Sequence, residues 1–398
     1  MPLGIYISVP FCRSKCSFCN FASGVFSREL MSAYVARVRE EIVAAEALAN
    51  KLGAAFDRHV DSIYLGGGTP TTLSPEHLKE IFSIVRGEFE IAADAEITVE
   101  AAPGTLGGET IDVLADSGVN RVSLGVQSFV DQEIRSVGRL HTAAGALVDI
   151  ERLREFGIAN INIDLIAGLP HQTAESWQYS LQQLANTGVP HASVYILEVD
   201  EDSRLGRELI AGGSRYHAHA VPDPDLAADV YLEAIEFLRD GELEQYEISN
   251  FARSGHESRH NLKYWTRQPY LGFGLDAHSM LYAQGCSGEF ESLRFSHGDE
   301  LAGYLAAETA PVLTHISAAN AAEERLFLGL RLNRGIPIAE LESSELMPFA
   351  VEIRELIALG LLEESSENLR LTSQGRLLSN EVFERFIRSE CGVSVNTA

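Results

Sequence analysis

Basic charge is scarce in this chain of 398 residues: 31 Lys and Arg stand against 57 Asp and Glu, a formal net charge of −26 at pH 7. A surface that follows a phosphate backbone needs the opposite excess, so nucleic acid is excluded as a main partner. Unaided adsorption to anionic lipid is disfavoured for the same reason. Long apolar runs are missing too. None approaches the ~18–20 residues of a membrane span, so no stable membrane insertion is expected. The opening stretch MPLGIYISVPFC lacks the basic and long apolar regions of a secretion signal. Cysteine is rare, five in all, which is too few for a disulfide framework and places the chain, as an expectation, in a reducing cytoplasm.

The few cysteines are nonetheless crowded. YISVPFCRSKCSFCNFAS (6–23) holds Cys12, Cys16 and Cys19, and the next are Cys286 and Cys391, which read as ordinary reduced residues. Three thiolates at this spacing can converge on one small inorganic centre. Zinc is the first rival, but structural zinc takes four ligands in closed geometry. The nearest histidine after the loop is His59, so no fourth ligand is at hand locally. An iron–sulfur cluster held by three cysteines leaves one iron open for a substrate or cofactor. The plain alternative is three reduced cysteines packed as small hydrophobes. Clustering on a loop directly after a strand argues against it.

Short β-branched or apolar runs recur at 5–9, 62–66, 96–100, 121–126, 161–166 and 192–197, with helical periodicity between them. One intervening helix opens on Ser74 as N-cap and Pro75 at its first position. Strands alternating with helices give a parallel sheet of βα units, here six where a full barrel needs eight. The expected fold is therefore α/β, a partial barrel over residues 1–200. Residues 200–225 are polar and rich in Gly and Pro, and read as a long connection. An extension with HNLKYW (260–265) and GFGLDAHSM (272–280) occupies 201–310. Residues 311–398 carry amphipathic helices and a hairpin strand leading into a final helix, a winged-helix-like unit. In so acidic a chain it reads as a lid or docking module.

Each expected strand ends in groups a charged nucleoside could use. GGGTP supplies Gly67, Gly68 and Thr69, the third strand ends at Glu100, and the fourth runs into Gln127 with Arg139 beyond it. The fifth carries Asp164. Glycines let backbone approach a ligand, carboxylates accept from a ribose diol or an ammonium group, and Arg clamps a carboxylate. Singly, each has a structural explanation in a cap, an ion pair or a loop contact; together they occupy corresponding ends of successive strands.

Cys12-xxx-Cys16-xx-Cys19 after the first strand resembles the radical S-adenosylmethionine superfamily. In that family a 4Fe-4S cluster binds S-adenosyl-L-methionine through its open iron and cleaves it reductively to a 5′-deoxyadenosyl radical. YISVPFC, GGGTP, ITVEAAPGT, SLGVQSF, GRLH and NIDLIAGLP resemble the branch holding oxygen-independent coproporphyrinogen III oxidase and HemW. The resemblance, which spans nearly the whole chain, implies cofactor roles for Tyr6, Gly67, Gly68, Thr69, Glu100, Gln127, Arg139 and Asp164, and places Phe18 near the adenine. Some members of this branch hold two S-adenosylmethionines. The oxidases carry a fourth cysteine two residues after the third; here that place is Phe21, as in the HemW branch. They also carry an extension ahead of the cluster that this sequence is expected to lack. HNLKYW is similar to the H-N-x-x-Y-W motif of the HemW branch. On a helix His260 and Tyr264 share a face, so His260 could ligate haem iron while Tyr264 and Trp265 flank the macrocycle. His278 is a second candidate. The branch implies a haem chaperone that hands haem to proteins such as respiratory enzymes and draws on an electron donor. The alternative is a radical enzyme of tetrapyrrole metabolism, either a coproporphyrinogen oxidase, against which Phe21 counts, or a haem-degrading methyltransferase. A third reading is a simple iron–sulfur carrier, against which the strand-end residues count.

Overall fold

The computed structural model describes residues 1–198, 200–285, 290–307, 310–341 and 346–388, so Cys286 and Cys391 lie outside the described residues. The six expected strands are β1 (Leu3–Val9), β2 (His59–Gly67), β3 (Glu90–Ala101), β4 (Arg121–Gln127), β5 (Asn160–Ala167) and β6 (His191–Ile196). They run parallel and lie side by side in chain order. Every residue of β4 is buried, as a central strand covered on both faces requires. The crossovers are α1 (Arg28–Leu52), α2 (Pro75–Glu88), α3 (Gly108–Asp116), α4 (Asp131–Ser136) with α5 (Ala143–Glu155), and α6 (Ala174–Thr187). Ser74 caps α2 by accepting the His77 N–H, and Pro75 opens it, as the sequence indicates.

The sheet grows at both ends. Beyond β6 lie β7 (Glu244–Glu247) and β8 (Asn250–Ala252), the latter antiparallel to β6. Beyond β1 lie β9 (Tyr270–Gly274), parallel to β1, and then antiparallel β10 (His278–Tyr282), β11 (Ser292–Ser296) and β12 (Val312–Ile316). The twelve strands end at β12 and β7, so the barrel stays open. The segment 200–225 is more ordered than a plain connection. It contains α7 (Arg204–Ile210), capped by Ser203 accepting the Gly206 N–H, and 3-10 turns over Arg215–Ala220. Its polar composition hides a cap that only Ser203 betrays. Next come α8 (Pro224–Asp240), α9 (Arg259–Trp265, the HNLKYW helix), α10 (Leu301–Leu305) and α11 (Ala318–Gly329).

A second apolar core, around Leu326, Leu330, Phe349, Leu369 and Phe386, is separate from the barrel core. It supports an antiparallel sheet of β13 (Ile336–Pro337), β14 (Leu362–Glu364) and β15 (Asn368–Leu371), flanked by helices: the wing the sequence pattern anticipates. Buried Arg267 ties the two bodies together, pairing at 2.7 Å with Glu291 ahead of β11 and with Glu324 on α11. Among the described residues no helix is long and apolar enough to cross a membrane.

Candidate functional site

The cysteine loop leaves β1 and is pinched shut at its base. Gly24 N–H donates to Pro10 O at 2.9 Å, and Cys12 N–H to Gly24 O at 2.8 Å. Lys15 Nζ reaches across the loop to the carbonyls of Phe21 and Ser23, each at 2.9 Å. From outside, Ser17 N–H donates to Val137 O, Leu205 N–H to Ser17 O, and Arg204 to Lys15 O. Thr69 N–H donates to Phe11 O at 2.8 Å, and its hydroxyl lies 3.9 Å from Cys12 Sγ. Gly68 is needed where β2 meets the loop, because a Cβ there would stand 2.8 Å from Val9 O and 3.0 Å from Cys12 Sγ.

The three sulfurs line a cavity of about 610 Å³ together with Phe18, Gly67, Gly68, Thr69, Glu100, Gln127, Arg139 and Asp164. Eight of the residues expected from motifs thus converge with the cysteines on one space. Burial raises the Cys12 and Cys16 thiols above their ordinary pKa, and around Cys16 the nearby Arg139 and Arg204 pull the other way. Among the described residues no three Cys, His, Asp or Glu side chains form a site for a single metal ion. Three sulfurs lining one cavity suit a centre in which each iron takes one thiolate.

The polar strand ends face that centre. Tyr64 donates to Glu100 at 2.8 Å. Burial, helped by the Asp164 charge, pushes the Glu100 carboxyl up to about 7, against the Tyr64 and Gly67 hydrogen bonds and Arg139. Asp164 accepts from Asn162 at 2.7 Å, and burial raises it as well. Two buried carboxyls short of positive charge are a receptor for a cation. Arg139 Nε is buried without a hydrogen-bond partner, a donor left for an incoming carboxylate. These residues fit S-adenosylmethionine, whose sulfonium and ammonium are positive and whose carboxylate is negative. Sequence reasoning missed Gly125. A Cβ there would meet Arg139 Nη2 at 2.7 Å and Gln127 Nε2 at 2.9 Å, so its absence is what lets both side chains cross β4. Tyr64, Ser123, Tyr195, Arg331 and Arg376 were missed too, although all but Tyr64 line the cavity. The pattern at β2 shows Tyr64 two residues before the glycines; nothing in the sequence marks the two arginines.

Tyr6 and the HNLKYW residues lie elsewhere. Tyr6 lines a smaller cavity of about 270 Å³ with Phe21, Gly67, Tyr264, Tyr270, Asp276 and His278. His260 is 0% exposed, with Nδ1 3.0 Å from Ser62 Oγ and Nε2 2.8 Å from Tyr264 Oη. Both ring nitrogens are therefore engaged. In this arrangement the imidazole ties α9 to β2, and burial lowers its pKa to about 3. Lys263 adds a buried ion pair with Asp61 at 2.7 Å and donates to Pro2 O. Trp265 stacks under Arg331, 4.3 Å from ring centroid to guanidinium carbon, linking the segment to the larger cavity. His278 has a side chain 65% exposed.

A six-stranded parallel core with three cysteines on its first loop and cofactor-type residues at successive strand ends defines a radical S-adenosylmethionine fold. Residues 6–184 match the Radical SAM superfamily and residues 316–378 the HemN C-terminal domain. The chain is 33% identical to the haem chaperone HemW of Lactococcus lactis, covering 97% of each chain. It is 33% identical to that of Bacillus subtilis over 96% of this chain and 98% of the relative. The solved coproporphyrinogen III oxidase HemN of Escherichia coli, described as a radical SAM enzyme, superposes with a TM-score of 0.80 at 26% identity, covering 97% of this chain and 90% of that one. The chain belongs to the HemW branch of the radical SAM superfamily.

Proposed function

We propose that the chain is a haem chaperone of the HemW type, binding a 4Fe-4S cluster through Cys12, Cys16 and Cys19 and S-adenosylmethionine through the larger cavity. It delivers haem to haem proteins such as respiratory enzymes, within a cytoplasm that supplies an electron donor. The cluster, once loaded, supplies an electron at low potential and an open iron for the methionine group. Thr69, Glu100, Gln127, Arg139 and Asp164 then orient and neutralise the cofactor, and Phe18 offers it a flat apolar wall. Residues 1–200 serve as the cofactor barrel, 201–310 as its extension and 311–398 as the covering unit.

The observation that carries this reading is Phe21. It occupies the place of the oxidases' fourth cysteine, is 61% exposed, and lines one cavity with His278 and Tyr264. An accessible imidazole beside exposed aromatic surface is what a haem edge requires. Exposed His278 is therefore a proposed iron ligand beside His260, with Tyr264 beside the ring and Trp265 bracing the segment through Arg331. Titrating haemin into cluster-loaded protein should give a saturable Soret shift that His278→Ala weakens about tenfold or more. No shift in either protein overturns the reading. The 0.80 TM-score to an oxidase favours radical tetrapyrrole chemistry as a second reading. Anaerobic incubation with coproporphyrinogen III should leave it unchanged, and release of protoporphyrinogen would replace the chaperone reading with this one.

A further inference from the structure

The larger cavity has two electrostatic poles. At the strand ends it carries Glu100, Asp164 and Arg139, the groups that suit S-adenosylmethionine. Its wall also carries two further guanidiniums, Arg331 just after α11 and Arg376 on the short helix Ser373–Leu377. Neither belongs to the set that takes the cofactor. Arg331 is partly compensated, standing 3.5 Å from the buried Glu247 carboxylate and over the Trp265 ring. Arg376 is not. Its Nη atoms donate to Leu371 O at 3.3 Å and Ser373 Oγ at 3.1 Å, and among the described residues no acid pairs with it. Glu363, an acid whose charge it feels, is held by Arg370 at 2.7 Å. The Nε atoms of both arginines are buried without a hydrogen-bond partner. In a chain of net charge −26 acids are abundant, yet none is set against Arg376. A half-buried guanidinium with an open N–H and no counter-charge is costly, and an incoming carboxylate would relieve it. The same cavity offers apolar wall. Tyr195 and Ile196 at the end of β6 line it and are exposed, where the four strand residues before them are buried.

We propose that Arg376, with Arg331 in the same wall, forms a subsite for the carboxylates of an amphipathic organic anion whose apolar body lies against Tyr195 and Ile196. On the haem reading, on which the identity of that anion rests, the carboxylates are the propionates at one edge of the macrocycle. A guanidinium meets a carboxylate through parallel N–H groups, and partial burial strengthens the pair. Glu100 and Asp164 disfavour a carboxylate at the other pole, so the anion enters in one orientation. The two cavities adjoin. Phe21 and Gly67 line both, and the Trp265 ring that stacks on Arg331 stands 6.3 Å from the Tyr264 ring of the smaller one. A macrocycle with its metal at the smaller cavity would therefore turn its propionate edge towards the two arginines.

The test compares haemin with haemin dimethyl ester, whose carboxylates are blocked, on cluster-loaded protein saturated with S-adenosylmethionine. Wild type should bind haemin at least roughly tenfold more tightly than the ester. Arg376→Gln should bind the two alike, through weaker binding of haemin alone. Asn380→Asp adds an acid at an exposed position of the same wall and should also narrow the preference. An unchanged affinity for S-adenosylmethionine in both variants verifies the fold. Equal binding of haemin and ester by wild type, or a preference that survives either substitution, overturns the subsite and leaves the haem reading standing. Binding of neither ligand by wild type overturns both.

Discussion

Glu100 is buried beside a second acid, and without a cationic guest its charge is costly. Its folded pKa of about 7 exceeds the ordinary 4.5, so the folded chain keeps a proton there that the unfolded chain has released. The stabilisation from that retained proton is complete below 4.5 and is lost as pH rises through about 7. Glu100→Gln is neutral at all pH values. We expect it to raise the melting temperature of ligand-free protein at pH 8 and to change it little at pH 5; an equal shift at both values would mean that the charge is not what matters. S-adenosylmethionine should reverse the ranking, protecting wild type more than the variant. The strand-end residues were legible because parallel strands of a barrel end in functional groups. The part of His260 was not, because its partner Ser62 lies 198 residues away and the sequence cannot show that both nitrogens are taken.

At the scale of elements, α9 is held by its first turn. Glu96 on β3 accepts the N–H groups of Arg259 and His260, each at 3.0 Å, placing an acid at the positive end of a short helix. Removing the acid leaves the buried His260 N–H and the part-buried Arg259 N–H unpaired. Glu96→Ala should cost about 1–3 kcal/mol in urea unfolding, and fluorescence of Trp265 should report a loosened segment. A loss below ~0.5 kcal/mol would show that water replaces the carboxylate without penalty. The alternation of strands and helices could be read from periodicity alone. The helix α7 was obscured by polar residues, and β12 by its short run ahead of helical sequence.

For the whole molecule the question is which buried groups dominate on acidification. Burial holds His141 and His297 at about 4 and His260 at about 3, and lowers His191 strongly. The unfolded chain takes up protons at these sites near 6.5 while the folded chain refuses them. Their contribution is therefore complete above 6.5 and is lost as pH falls towards 4 and then 3. Glu100, raised to about 7, works in the opposite direction, as do Glu41, Asp149, Asp164, Glu247 and Asp276, whose carboxyls burial also raises. The four imidazoles, however, all take up their protons in the unfolded chain near 6.5, inside the window tested. Relief of the −26 charge also opposes the loss, and salt of roughly 0.2 M screens most of that term. The urea midpoint should accordingly fall between pH 7 and pH 5. A midpoint that climbs would show that buried carboxyls, not imidazoles, set the balance. The acidic composition was legible as a bar to nucleic acid; the count of neutral buried imidazoles was not, since burial is a tertiary property.

The larger cavity takes part of its wall from the far end of the chain, where Arg376, Leu377, Ser379 and Asn380 face the cysteines across the void. That region is thus part of the cavity wall rather than an appendage. Removing that wall, by cutting the chain between the two bodies, should open the cavity and its three cysteines to bulk solvent.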